Sequence, residues 1–169
     1  MTSTTTDLQH VVGRLSAPGL IRLISEIDDH GPIPRRGFTR SFPDLARHQI
    51  RHAVKEARDL ALIHSTGEHH LTEAGEALAE LYDAAARWGR QHQYPAKEGH
   101  FTLRVSSALA LLVRPEESAC LPSTTRPEAA ADASTAPGLE ELEAVRSALL
   151  QWLNDHSRAP LRTAYETAA

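Results

Sequence analysis

Apolar residues recur at helical spacing along most of this chain, and the breaks between the runs are marked by proline, glycine and short polar residues. Residues 1–6 are Met, Thr and Ser and read as disordered, whereas Leu8, Val11, Val12 and Leu15 predict a helix over 7–15. Ser16 is placed to N-cap a second helix with Pro18 in its first turn. Leu20, Leu23, Ile24 and Ile27 form its apolar stripe, and Gly31-Pro32 stops it. Phe38 and Phe42 stand four apart on a short helix, and Pro43-Asp44 makes a turn. Leu45, Ile50, Val54 and Ala57 mark the buried side of a helix that runs to Leu60.

The segment "LIHSTGEHHLT" changes the pattern. Two short apolar-ended arms flank Thr66-Gly67, which predicts a tight hairpin. Thr72 then N-caps a long helix with Glu73 in its first turn, carried by Leu78, Leu81, Tyr82, Ala85 and Trp88 and ended by Pro95. Residues 101–114 fit both a strand (Phe101, Leu103, Val105) and a helix (Phe101, Val105, Ala108, Leu109, Leu112), and we read them as a helix. Residues 115–138 are rich in Pro, Ala, Ser, Thr and Glu and read as a flexible linker. Leu139, Leu142, Val145, Leu149, Trp152 and Leu153 make a final amphipathic stripe, with Glu140, Glu141 and Glu143 where the helix dipole favours acids.

Charge sharpens this picture. The chain carries a formal −4 over 169 residues. Yet residues 34–58 hold seven Arg or Lys against two acids, a local +5, while residues 116–169 hold nine acids against four arginines, a local −5. Such asymmetry points to a polyanionic partner for one region only. Arg47, His48, Arg51, His52 and Lys55 fall opposite the Ile50 stripe as one ridge. Arginine suits guanine edges, and histidine or glutamine can meet bases or phosphates. The expected DNA-contacting set is therefore Arg35, Arg36, Arg40, Arg47, His48, Gln49, Arg51, His52 and Lys55, with His64, Thr66, Gly67 and His69 at the hairpin. Arg47 and Arg51 are the expected base readers; Lys55, Arg58, Arg35, Arg36 and Arg40 are expected on phosphates.

The order helix, helix, short helix, turn, basic helix, hairpin, long helix is that of a winged helix-turn-helix domain, whose recognition helix enters the DNA major groove. The fold class expected is mostly α: this domain over residues 7–95 with a two-stranded wing, plus extra C-terminal helices. Residues 96–114 should form a dimerisation helix, 115–138 the linker, and 139–158 an amphipathic helix for dimerisation or partner contact.

"HLTEAGEALAELYDAAARWGRQH", residues 70–92, resembles the segment after the wing in HxlR-type regulators, through Leu71, Thr72, Gly75, Leu78, Leu81, Trp88 and His92. "FPDLARHQIRHAVKEARDLALI", residues 42–63, resembles the helix-turn-helix of the same family through Pro43, Leu45, Ile50, Val54, Leu62 and Ile63. "GRLSAPGLIRLISEI", residues 13–27, matches its first core helix more weakly, so the likeness spans about residues 8–93. It departs from the family at Leu15, where a tryptophan is usual, at Ala61, where a glycine is usual, and in a shorter wing. The resemblance, broadly to MarR, PadR and HxlR-like proteins, implies a homodimeric, sequence-specific transcriptional regulator. Its recognition helix would span about residues 46–59 and read a pseudo-palindromic operator. A protein-interaction winged helix without DNA binding, or an effector-responsive repressor with a small-molecule pocket at the dimer interface, are the alternatives.

Other chemistry is sparse. No glycine-rich phosphate loop, nucleophile elbow or metal-ligand set stands out, so neither an enzyme nor a cofactor is expected. His48 and His52 stand four apart, and His64, His69 and His70 share one hairpin, but Gln49 occupies the place of a metalloprotease glutamate, and no metal is expected. Cys120, the one cysteine, sits near Glu116 and Glu117 and reads as incidental, and the family's redox-sensing N-terminal cysteine is missing. Trp88, Phe101, Leu109 and Trp152 read as core or dimer contacts more readily than as an effector pocket. The longest apolar run, "ALALLV" at 108–113, is far short of the ~20 residues a membrane span needs. With no secretory leader and one free thiol, a cytoplasmic protein is expected, and the Ala, Arg and Pro richness is that of a high-GC bacterium.

Overall fold

A computed structural model of the chain describes residues 3–34, 37–43, 45–64, 67–95, 99–113 and 138–156. Helix α1 covers Ser3–Leu15 and α2 Pro18–His30. The threonine run expected to be disordered thus adds an outer turn to α1. Ser16 does not cap α2: its Oγ donates to the Val12 carbonyl at 2.7 Å, closing the end of α1, and Ala17 holds the N-cap place with no side-chain bond. Pro18 starts α2, where its missing N–H is no loss. The apolar side of α2 is fully used, with Leu20, Ile21, Leu23, Ile24 and Ile27 buried. Gly31, at φ 85°, ends it and donates its N–H to the Ile27 carbonyl.

Short α3 spans Phe38–Ser41, and Phe42 is buried immediately beyond it. Helix α4 covers Arg47–Asp59. Its end is a Schellman turn: Leu62 N–H reaches the Ala57 carbonyl at 2.8 Å and Ala61 N–H the Arg58 carbonyl at 2.9 Å. Ala61 takes the left-handed conformation such a turn requires, at φ 53°, a conformation that favours glycine.

The arms after α4 meet through single antiparallel bridges, Ile63 with Leu71 and His69 with Ile33. Thr72 N–H to the Leu62 carbonyl and His64 N–H to the His70 carbonyl, at 2.9 and 3.0 Å, complete the first pairing. The segment 69–71 therefore lies between residue 33 and residue 63. Among the described residues no strand is longer than one bridge, so the expected two-stranded wing is not formed as a ladder. Among the described residues Ile63 and Leu71 are the one apolar pair bridged across the two arms, and one pair does little to hold a hairpin.

Helix α5, Glu73–Gln91, packs against α2, α6 and α7 and is the axis of the core. Thr72 joins it to the turn at Ala61: its Oγ1 accepts the Gly75 N–H at 3.2 Å and donates to the Ala61 carbonyl at 2.7 Å. Gly75 lets the two backbones touch, since a Cβ there would stand 2.2 Å from the Leu62 carbonyl oxygen. Tyr82 is buried and donates to the Leu15 carbonyl at 2.6 Å, tying α5 to α1; burial pushes its phenol pKa upward.

Residues 101–112 are helical, α6 running Phe101–Leu112. Arg104 decides how it sits. Its guanidinium is buried and donates to the carbonyls of Gly89, Tyr94 and Gly99 at 2.7, 3.1 and 2.8 Å. A cation thus rests at the C-terminal, carbonyl-rich end of α5, where the helix dipole favours it.

Helix α7, Leu139–His156, lies on α5. Val145, Leu149 and Trp152 are buried there, and Trp152 Nε1 donates to the Ala74 carbonyl at 2.9 Å. Trp88 Nε1 donates to the Gly138 carbonyl at 2.9 Å, and His92 Nε2 lies 3.2 Å from a Glu141 carboxylate oxygen. Val145, Leu149 and Trp152 of the α7 stripe, expected to serve dimerisation or partner contact, are thus covered within their own chain, while Leu142 and Leu153 are partly buried. Trp88, Leu109 and Trp152 are core residues, Phe101 is half-buried, and among the described residues Leu103 and Leu150, 48% and 44% exposed, are the large apolar side chains left outside.

Candidate nucleic-acid interface

Helix α4 has two sharply different sides. Ile50, Ala53, Val54 and Ala57 are buried against the core, and α2 crosses closely where Gly19 meets Ala53. Arg47, His48, Gln49, Arg51, His52, Lys55 and Arg58 are all exposed. The ridge expected from the sequence is therefore a continuous solvent-facing surface.

Several members of that ridge are engaged. The N-cap Ala46 has no side chain to offer, and Gln49 supplies the missing end: its Oε1 accepts the Ala46 N–H at 2.9 Å. Lys55 Nζ pairs with Asp59 one turn on, and that hydrogen bond and charge raise the lysine pKa. Glu56 is bonded by Arg14 of α1 at 2.8 Å, which neutralises the acid at the edge of the basic face. Asp59 lies just beyond the basic stretch 34–58, and its i, i+4 spacing from Lys55 is the sequence signal for their pairing.

Two grooves flank the ridge. On one side Arg51, Lys55, Arg58 and Asp59 stand over a floor of Ile50, Val54 and His69, in a hollow of ~370 Å³. On the other, His48, Gln49, His52 and Glu56 face Pro18, Gly19 and Leu20 of α2 and Leu45 before α4, in a hollow of ~520 Å³. One wall is cationic, and the other carries imidazoles and an amide.

The remaining expected contacts divide. Arg40 is exposed on α3; Arg35, Arg36 and Thr66 lie outside the described residues, as does Cys120. His64 and Gly67 are exposed, and Gly67 has the left-handed backbone, φ 75°, expected of a tight turn. His69 is a correction: only 2% exposed, it forms part of the floor beneath Arg51 and its backbone pairs with Ile33, so it cannot reach a nucleic acid.

Elsewhere, Asp28 of α2 has its pKa raised, first by burial and then by Asp29, Asp83, Glu76 and Glu80, which marks an acidic edge shared by α2 and α5. Among the described residues no three His, Cys, Asp or Glu side chains are grouped to hold a metal, and no helix is long and apolar enough to cross a membrane. No protein-family model matches the chain, no curated protein matches it, and no solved structure matches it.

Proposed function

We propose that this protein is a sequence-specific DNA-binding transcriptional regulator of winged helix-turn-helix type, with α4 as its recognition helix. One observation carries the reading: α4 buries its apolar row completely and leaves Arg47, His48, Arg51, His52, Lys55 and Arg58 together in solvent. The acids on and beside that face are each paired, Glu56 with Arg14 of α1 and Asp59 with Lys55. The bridges of residue 69 with residue 33 and of residue 71 with residue 63 support the same topology, with a wing reduced to its base. The resemblance to HxlR-type regulators points the same way and rests on the residues alone. In this reading the protein works in the cytoplasm as a homodimer. Two α4 helices would enter major grooves ~34 Å apart.

The test is a fluorescence-anisotropy titration of the full chain on DNA selected from a random duplex pool. Arg47→Ala and Arg51→Ala should each weaken binding by about 1–3 kcal/mol. Lys55→Ala should weaken all duplexes alike and flatten the plot of log affinity against log salt by about one phosphate contact. If no duplex is selected and neither arginine matters, the ridge serves a protein partner.

A further inference from the structure

Helix α4 carries four cations and two acids, and the two acids are answered in different ways. Asp59 is paired with Lys55, one turn back along the same helix, so that pair adds no net charge to the ridge. Glu56 is met from outside: Arg14 of α1, 42 positions earlier in the chain, bonds it through Nε at 2.8 Å. Glu56 continues the row of His48 and His52 by one further turn and lines the same groove. Arg14 is well placed to answer it. It stands in the last turn of α1, where the helix dipole favours a cation. Its own carbonyl accepts the Ala17 N–H at 3.1 Å, and the Leu15 carbonyl beside it accepts the Tyr82 hydroxyl at 2.6 Å, so the corner between α1 and α2 that carries Arg14 is fixed to the core. At the start of α2, Gly19 lies against Ala53, which brings that corner to α4.

We propose that Arg14 is a positioning residue of the DNA-binding face, acting through Glu56: it keeps that carboxylate from repelling the phosphates that flank α4. This rests on the DNA-binding reading above. An α-helix with its side chains is about 10–12 Å across, about the width of the major groove, and charges are screened over about 10 Å at ~0.1 M salt. A bare carboxylate on α4 is therefore felt by the phosphates on both sides of a groove the helix fills. Four cations less two acids leave α4 a formal +2, and Arg14 raises the face to +3. Losing Arg14 removes one charge in three from the surface that must meet a polyanion.

The setting separates this role from simple bracing. The Arg14 and Glu56 side chains are 32% and 17% exposed, so the pair lies at the edge of solvent, where an ion pair adds little to stability. Its electrostatic reach is wider than its contact. Lys55 has its pKa raised, first by the Asp59 hydrogen bond and then by the Asp59 charge, while the Arg14 charge works against the rise. Arg14 thus adds to the positive field at the ridge itself. The basic stretch 34–58 does not contain it, because only the fold brings α1 to α4.

The experiment uses the full-length protein, a duplex selected from a random pool and a scrambled duplex, titrated by fluorescence anisotropy at about 50 and 200 mM salt. Arg14→Gln should weaken binding to both duplexes about three- to tenfold at the lower salt and by less at the higher, as a field effect requires. Glu56→Gln removes an acid and no cation, and should bind at least as tightly as the parent. The double variant Arg14→Gln, Glu56→Gln is decisive. It lacks the bridge as surely as the single variants do, yet should bind within about twofold of the parent, because no bare carboxylate is left at position 56. Arg14→Lys, which keeps the charge, should retain most of the affinity. A double variant as weak as Arg14→Gln alone would overturn the assignment, since Arg14 would then brace the fold or touch DNA itself. So would a parent-like Arg14→Gln, or a Glu56→Gln that binds more weakly than the parent. Failure of the parent protein to bind any duplex at low salt overturns the underlying reading instead.

Discussion

At Ala61 the left-handed backbone of φ 53° is occupied by a residue with a Cβ. That conformation costs an L-residue roughly 1–2 kcal/mol. Glycine would relieve it and give back about 0.4–1 kcal/mol through greater freedom of the unfolded chain. Ala61→Gly should therefore raise stability by about 0.5–1 kcal/mol in a urea melt, without touching the basic face. Gly75 is the converse case. An added Cβ would meet the Leu62 carbonyl oxygen at 2.2 Å, and neither backbone can yield easily. Gly75→Ala should cost about 1–3 kcal/mol, with the loss visible in the same melt. Asp28 has a raised pKa from burial and its acidic neighbours. For an acid, a raised folded-state pKa means that ionisation opposes folding: the penalty is present above the folded pKa and vanishes as pH falls below the unfolded value of about 3.9. Asp28→Asn should thus raise the melting temperature near neutrality, and the difference from the parent should close in acid.

Among the elements, those with a full apolar row were legible. Helices α2, α4, α5 and α7 follow from rows such as Leu20 to Ile27 and Ile50 to Ala57, because a periodic stripe fixes both the element and its buried face. Thr72 as a cap and Gly31 as a stop were legible for the same local reason, each bonding within one turn of itself. One failure is local, and the others depend on distant partners. Ser16 was free to cap forward or bond backward, and it bonds to Val12. His69 looks like a polar turn residue until Ile33 pairs with it and Ile50 and Val54 line the same hollow. The α7 stripe announces burial but cannot say whose surface covers it; Trp152 answers through Ala74 of the same chain. Trp152→Ala should accordingly cost about 3–5 kcal/mol in a urea melt at any protein concentration. A destabilisation that faded on concentrating the protein would mean that α7 packs on a second copy.

For the whole molecule, a net −4 coexists with a basic helix face, so encounter with a polyanion depends on orientation. If the exposed cations Arg47, Arg51, Lys55 and Arg58 each neutralise one phosphate in the proposed complex, raising salt from about 50 to 200 mM should weaken binding roughly a hundredfold, as four released counterions require. A far steeper dependence would place further cations on the DNA. The tie from Trp152 to Ala74 bridges 78 positions of sequence, further than the 67 between Tyr82 and Leu15. This has a meaning in time. As the chain leaves the ribosome, α5 emerges long before the helix that covers it, and its Ala74 carbonyl waits through the synthesis of everything between. A nascent chain arrested after residue 113 would carry the basic face of α4 complete and the flank of α5 that α7 covers bare, so the surface that α4 presents is finished before that flank has been closed.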